Sequence, residues 1–152
     1  MNNNNLYMYI NNIPDDSKLI YAVEILRQKI RKKLDEFFSN IGIDVFKFNF
    51  LMILKNAKSE FGVKEQDVQE SLLVVPEYID KMQEELILSG LISVNIIETG
   101  EKYIKITDNG LNLIDNIYDD YQKFNSKISN RISKEDKDIL REKMLEWFVS
   151  IE

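Results

Sequence analysis

Apolar side chains recur at helical spacing in the first third of the chain. Between residues 20 and 41 they step by three and four positions, the pattern of a helix with one buried face. We predict a long helix over residues 17–40, capped by Ser17 and ended by Gly42. A second helix is predicted over residues 46–57.

The opposite face of the first helix is basic. Its charged side chains are Arg27, Lys29, Arg31, Lys32 and Lys33. A run of like charges on a helix is usually a solvated face, and we interpret this strip in that way. Contact with phosphate groups is the alternative.

The middle of the chain changes from helical to strand-like periodicity. A short helix is predicted over residues 64–72, and another between Pro76 and Gly90. Proline suits a first helical position because its missing N–H has no partner there, and glycine suits the left-handed residue after a last turn. An apolar run, a turn and an alternation over residues 102–106 predict two paired strands. This order predicts a winged helix-turn-helix, with residues 61–63 as a plain connector.

Two more helices are predicted after the second strand. The first opens at residues 107–110, and the last follows Ser133, which heads a pattern resembling a capping box. No repeat or linker divides the chain. We therefore predict a single domain over residues 1–152, of mainly α (α+β) class.

The first and last helices carry more large apolar side chains than isolated helices would expose to water. Burying one such side chain is worth about 1.5–3 kcal/mol, so packing between two subunits is the expected outlet. The predicted dimer-interface residues are Val23, Leu26, Ile30, Leu34, Leu140, Met144, Trp147 and Phe148.

Composition excludes several kinds of chemistry. The chain has neither cysteine nor histidine, so we expect no zinc site, no thiol chemistry and no histidine-based catalysis. There is no glycine-rich phosphate loop, and we predict neither an enzyme nor a cofactor. The absence of cysteine, of a long apolar run and of a secretion signal favours a cytoplasmic protein. A net charge of -6 argues against a general polyanion binder.

Three phrases and their spacing resemble the MarR family of winged-helix transcriptional regulators. The first is Leu86-Ile87-Leu88-Ser89-Gly90-Leu91-Ile92, which is similar to a family phrase of a leucine, three variable residues and Gly-Leu-Val. The second is Ile106-Thr107-Asp108-Asn109-Gly110, which looks like the family's Leu-Thr-x-x-Gly. The third is the Ser133 pattern before the last helix. With the long first helix, the resemblance covers almost the whole chain.

The resemblance implies a homodimer that binds double-stranded DNA. Residues 17–41 and 111–152 would form the dimerisation helices, and residues 44–110 the winged helix-turn-helix. One helix of each subunit would enter the major groove, and each wing would reach the adjacent minor groove. In the recognition helix, the DNA-facing positions would be Glu77, Tyr78, Asp80, Lys81 and Glu84. Lys102 would face DNA from the wing, and the DNA backbone would be contacted by Lys55, Lys58 and Lys64.

This face departs from the family pattern in its charge. The recognition helix offers Glu77, Asp80, Glu84 and Glu85 against the single Lys81. DNA affinity normally depends on phosphates neutralised by lysine and arginine. The family's wing arginine is also missing, because Lys102 stands in a similar place beside acidic neighbours.

Two functions therefore stay open. The first is a dimeric DNA-binding regulator of MarR type with an unusually acidic recognition helix. The second is a winged helix that has lost DNA binding and acts through protein contacts, as an antagonist or a mimic of an acidic surface. Ile87 and Leu88 would suit such a contact, although we expect them to pack against the wing.

Relatives of this type often hold a small effector between the dimerisation helices and the winged helix. A small apolar effector is therefore an expectation here as well. Several aromatic residues cluster at that junction, and we interpret them as core residues rather than as the lining of a pocket. They are Phe37, Phe38, Phe46, Phe48 and Phe50.

Overall fold

A computed structural model describes residues 12–57, 59–72 and 76–151 of the chain. These residues form six helices and a small antiparallel sheet, as predicted for a mainly α winged helix. The helices are α1 (Asp15–Phe38), α2 (Val45–Asn56), α3 (Glu65–Leu72), α4 (Pro76–Leu88), α5 (Asp108–Ser129) and α6 (Lys134–Ser150). The strands are β1 (Val63–Lys64), β2 (Ile92–Ile96) and β3 (Lys102–Ile106).

Helix α1 begins and ends earlier than predicted. Pro14 occupies the N-cap position with φ -52° and ψ 142°, and its carbonyl accepts a hydrogen bond from the Ser17 amide at 2.9 Å. Ser17 is therefore inside the first turn, and the prediction that it caps the helix is wrong. The helix ends at Phe38, and Gly42 lies in the loop beyond it with φ 83°. Proline suits this position because its fixed φ of about -65° fits the non-helical backbone that an N-cap residue adopts.

The wing is a hairpin of β2 and β3, with Val94 opposite Ile104. The prediction of a plain connector at residues 61–63 is wrong in part, because Val63 belongs to β1 and pairs with Ile104 on the other side of β3. A two-residue strand carries too little periodicity to be recognised in sequence. Gly62 permits the close approach: it has φ +101°, and a Cβ there would lie 2.6 Å from the Ile104 carbonyl oxygen.

The core is a cluster of aromatic and aliphatic side chains under the sheet and the helix-turn-helix. Phe38, Phe48 and Phe50 are buried in it, and Phe37 and Phe46 pack against it while partly exposed. The interpretation of these aromatics as core residues is confirmed. The other buried apolar side chains are Val45, Leu51, Leu54, Val68, Ile79, Met82, Leu86, Ile92, Ile104, Ile114 and Ile117.

The N-terminus of α5 is hydrogen-bonded to the turn that follows α4. The Thr107 hydroxyl accepts a hydrogen bond from the Gly110 amide at 3.2 Å and donates one to the Gly90 carbonyl at 2.7 Å. A Cβ on Gly110 would lie 2.3 Å from the Leu91 carbonyl oxygen, which is far inside van der Waals contact. Only glycine therefore lets α5 approach Leu91 this closely.

Helix α6 begins at the predicted cap, where the Ser133 hydroxyl accepts a hydrogen bond from the Asp136 amide at 3.0 Å. None of its side chains is buried within one chain. Leu140, Met144 and Phe148 are about half exposed, at 49, 51 and 56%. None of the helices in the described residues has the length and apolar content that a membrane crossing requires.

We expect the substitution Gly110→Ala to destabilise the chain, because its methyl group would overlap the Leu91 carbonyl. Overpacking of this kind lowers the free energy of unfolding by about 1–3 kcal/mol. Urea unfolding at a fixed protein concentration measures the effect. The control Asn112→Ala lies on the exposed side of the same helix, where a change within about 0.5 kcal/mol is expected. Equal stability of the two variants would contradict this packing.

Candidate nucleic-acid interface

Helix α4 presents its polar side to solvent because Ile79, Met82 and Leu86 anchor the other side in the core. Asp80, Lys81 and Glu84 are exposed, and Tyr78 is 37% exposed. Glu77 lies in the first turn of the same helix. Asp80, Lys81 and Glu84 therefore share one solvent-facing surface, as predicted for the recognition helix. Tyr78 is only partly exposed, and the side chain of Glu77 is not described.

Tyr78 is tethered to the helices that precede the helix-turn-helix. Its ring packs edge-on against Phe46 in α2, with 5.5 Å between ring centroids. The Arg31 guanidinium in α1 lies over the same Phe46 ring, 4.4 Å from the ring centroid. Arg31 also forms an ion pair with Asp35 at 2.9 Å. Partial burial raises the pKa of the Tyr78 hydroxyl, and the nearby Asp44 adds to the shift. The side chains of α1, α2 and α4 are therefore in continuous contact at this point.

The helix-turn-helix is acidic on both of its helices. Helix α3 contains Glu65, Asp67 and Glu70 and no basic residue. In α4, Glu85 pairs with Lys47 of α2 at 2.6 Å. The hydrogen bond between them lowers the pKa of Glu85 and raises that of Lys47. Lys47 therefore neutralises one carboxylate of α4.

The wing is held to the helix-turn-helix by two reciprocal ion pairs, which we call the wing clasp. Lys64 at the end of β1 pairs with Glu101 of the wing turn at 2.5 Å. The adjacent residues pair with the opposite polarity, because Lys102 lies 3.6 Å from Glu65. The second pair is loose, and Glu65 Oε1 is buried without a hydrogen-bond partner among the described residues. The clasp therefore engages both lysines that were predicted to meet DNA from this side.

Of the remaining predicted contacts to the DNA backbone, Lys55 lies in the last turn of α2. Lys55 forms an ion pair with Asp115 of α5 and lies 5.8 Å from the centroid of the Tyr118 ring. Lys58 lies outside the described residues. Lys55, Lys64 and Lys102 thus each have a carboxylate partner within the chain. Sequence analysis missed all three partners because each ion pair joins segments distant in sequence.

The last turn of α4 carries an exposed apolar pair. Leu88 is 87% exposed and Ile87 is 44% exposed. The expectation that both pack against the wing is wrong for Leu88, whose side chain is almost entirely exposed. The exposed side of α4 therefore ends in an apolar tip beside its carboxylates.

The corner between α1 and α2 contains an open cavity of about 300 Å³. Its lining includes Asp35, Asp44 and Lys47 together with Phe38 and Ile43. The lining thus combines three charged side chains with apolar ones, so the cavity is not a purely apolar site. That effector stays a prediction.

Comparison with known proteins finds similarity in structure only. No family model matches the chain, and no curated protein matches it. The S. aureus MepR–DNA complex is 16% identical with a TM-score of 0.75, and the match covers 86% of this chain and 96% of that one. This chain has the MarR-type winged-helix fold.

Two further solved structures extend over nearly the same length. A putative MarR-like transcription regulator from Bacillus cereus is 19% identical with a TM-score of 0.76, covering 91% of this chain and 99% of that one. A MarR-family transcriptional regulator from Rhodococcus sp. RHA1 is 15% identical with a TM-score of 0.76, covering 86% and 92%. The MarR-type fold is therefore shared over most of the chain, which confirms the fold expected from the sequence phrases.

We expect the Lys64–Glu101 pair to weaken as the pH falls. The hydrogen bond from Lys64 lowers the pKa of Glu101 below 4.5. A lowered pKa in the folded protein means that the pair stabilises the fold fully above pH 4.5, and that this contribution is lost as the pH falls through the lower value. Carboxyl ¹³C NMR should give a Glu101 midpoint below 4.5 that returns toward 4.5 in Lys64→Gln. Lys105→Gln, also in the wing, should leave the midpoint unchanged; an equal shift would remove Lys64 as the cause.

Proposed function

We propose that this protein is a homodimeric transcriptional regulator of MarR type that binds double-stranded DNA through α4 and the wing. One observation carries the proposal: an exposed α4 stands beside a hairpin wing within a fold that matches a DNA complex along its length. In such a fold, α4 would enter the major groove and the wing would follow the flanking backbone.

The intramolecular ion pairs are compatible with DNA contact. Exposed pairs contribute about 0–1 kcal/mol each, so a lysine can leave its carboxylate for a phosphate at little cost. Among the paired lysines predicted to contact DNA, Lys102 has the longest contact, 3.6 Å from Glu65, and its own side chain is about half exposed. The carboxylates stay near the phosphates after such an exchange. The expected result is weak non-specific binding, with discrimination left to base contacts such as a carboxylate accepting from cytosine N4.

The apolar surfaces of α1 and α6 support the homodimer. Leu26 is 54% exposed, and Leu140, Met144 and Phe148 of α6 are about half exposed. A second copy offers the same stripes in return, as the two-fold symmetry of a closed dimer requires. Val23, Ile30 and Trp147 are half-buried in one chain, and Leu34 already packs partly against the core. Leu34 is therefore expected at the margin of the interface.

Light scattering should give a mass twice the 18.0 kDa of one chain at micromolar concentration. Phe148→Glu should shift the mass toward one chain, because two charges would face apolar partners across the interface. It should also lower thermal stability, since assembly and folding are linked in such dimers. Glu142→Gln, on the polar side of the same helix, should leave the dimer intact. A wild-type mass of one chain would contradict the dimer.

A second function is favoured by the charge of the same surface. Acidic side chains dominate α3 and α4, and the apolar tip at Ile87 and Leu88 lies at the end of that surface. An acidic surface with an apolar tip suits a basic protein partner better than a polyanion. In this alternative the protein acts as an antagonist that occupies a partner's DNA-binding surface.

The double substitution Asp80→Asn with Glu84→Gln separates the two functions. For a DNA-binding protein, removing two repulsive charges per subunit should raise non-specific DNA affinity. The gain should be largest near 0.01 M salt, where the Debye length is about 30 Å, and small near 0.15 M. For a partner-binding protein, the same change should abolish capture of the partner. Asp119→Asn with Glu142→Gln removes the same charges elsewhere and should do neither.

The measurements are a genomic binding-site selection and a pull-down from native extract, for the wild type and both double variants. A saturable, reproducible DNA site for the wild type would contradict the antagonist function. Absence of any such site, together with a partner lost only in the Asp80 and Glu84 variant, would contradict the regulator.

A further inference from the structure

A cluster of basic side chains surrounds a cavity between α1 and the end of α5. The cavity has a volume of about 730 Å³ and is open to solvent. Its lining residues are Lys29, Lys32, Lys33, Glu36, Lys127, Ile128, Asn130 and Arg131. We call this the basic cleft. It lies along α1, on a different part of the chain from α4 and the wing.

The charge in the basic cleft is largely uncompensated. Glu36 is the one acidic residue in the lining, and it pairs with Lys33 at 2.6 Å. Among the described residues, no carboxylate lies within 4.0 Å of Lys29, Lys32, Lys127 or Arg131, whereas Lys55, Lys64 and Lys102 are all paired. Four unneutralised cations are thus gathered in one concave place on a chain with net charge -6.

This arrangement is unfavourable without an anion. Lys29 stands three residues before Lys32 and four before Lys33 on one helix, and like charges at these spacings destabilise a helix. Lys127 and Arg131 stand at the carboxyl end of α5, where the partial negative charge of the last carbonyls offsets only part of their repulsion. An anion between the two helices would relieve the repulsion on both sides.

We propose that the basic cleft binds a small anion that carries several phosphate groups. Four cations from two elements match a ligand with three or more negative charges better than a single phosphate or sulfate. Arg131 supplies the planar fork that contacts two phosphate oxygens together, and the lysines supply point charges. The volume lies within the usual range for small-molecule sites, about 300–1,000 Å³. A concave site of this size suits a compact ligand rather than the convex backbone of a duplex.

The probe for this site is inorganic tripolyphosphate, titrated into the full chain by calorimetry at low salt. We expect saturable binding with one site per chain that weakens as salt is added, because the contacts are solvent-exposed charges. Lys32→Gln with Arg131→Gln should weaken binding roughly tenfold to a hundredfold, since each lost contact to a charged group is worth about a factor of ten.

The matched control is Arg27→Gln with Lys123→Gln. It removes one arginine and one lysine, one from α1 and one from α5, but both residues are paired outside the cleft, with Glu24 and Asp120. Its affinity for tripolyphosphate should change less than about twofold. Equal weakening in the two variants would mean that only net charge matters, and would overturn the proposal.

Three other outcomes would also overturn it. Sulfate binding as tightly as tripolyphosphate would mean an adventitious ion only. A random-sequence duplex that loses as much affinity in the Lys32 and Arg131 variant would make the cleft part of a nucleic-acid surface. A fall in mass to one chain for that variant would make the cleft a contact between two copies. Circular dichroism of both variants verifies that each is folded.

Discussion

The whole molecule depends on one tight junction, where α4 ends and α5 begins. Gly90 adopts φ 69°, so its amide bonds the Ile87 carbonyl and the Leu91 amide bonds the Leu86 carbonyl, each at 2.9 Å. These two bonds close the end of α4 in the manner of a Schellman motif. Thr107 then binds the same turn from the other strand, and its amide bonds the Leu91 carbonyl at 3.0 Å.

This junction connects two parts of the protein that differ in how much of their apolar surface one chain buries. On one side, α4 and the wing stand on a core that is complete within a single chain. On the other side, α5 leads into α6, which has no buried side chain of its own. Gly110 lets the backbone of α5 approach that of Leu91 closely, so α5 is in direct contact with the turn that ends α4. The contact of Arg31, Phe46 and Tyr78 forms a second connection, to the start of α4.

The ion pairs near the helix-turn-helix contribute little stability, whereas the summed charge of each surface decides which partner it attracts. The wing clasp and the Lys47–Glu85 pair engage three of the lysines around the helix-turn-helix, and ion pairs near the surface are weak. Their individual energies therefore matter less than the sum of the charges that a long-range partner meets. Around α4 that sum is negative, and along α1 in the basic cleft it is positive. The basic cleft and the recognition surface therefore favour different partners, an anion in the first case and a cation in the second.

Local physics determined much of this fold in advance. Pro76 and Gly90 delimit α4, the alternation of residues 102–106 forms β3, and the Ser133 hydroxyl caps α6, because each depends on neighbours within a few residues. The missing cysteine and histidine and the acidic recognition helix are likewise properties of composition. The start of α1 was predicted incorrectly, since Pro14 and not Ser17 occupies the N-cap position.

Only the tertiary structure decided which charges meet and which surfaces stay open. β1 exists because β3 offers it an edge, and Lys64, Lys55 and Lys47 find their carboxylates 37, 60 and 38 residues away in the chain. Part of the basic strip of α1 lines a cleft because the end of α5 and the turn after it place Lys127 and Arg131 beside it. Pairings across such distances follow from how helices pack, and periodicity within one segment carries no information about them.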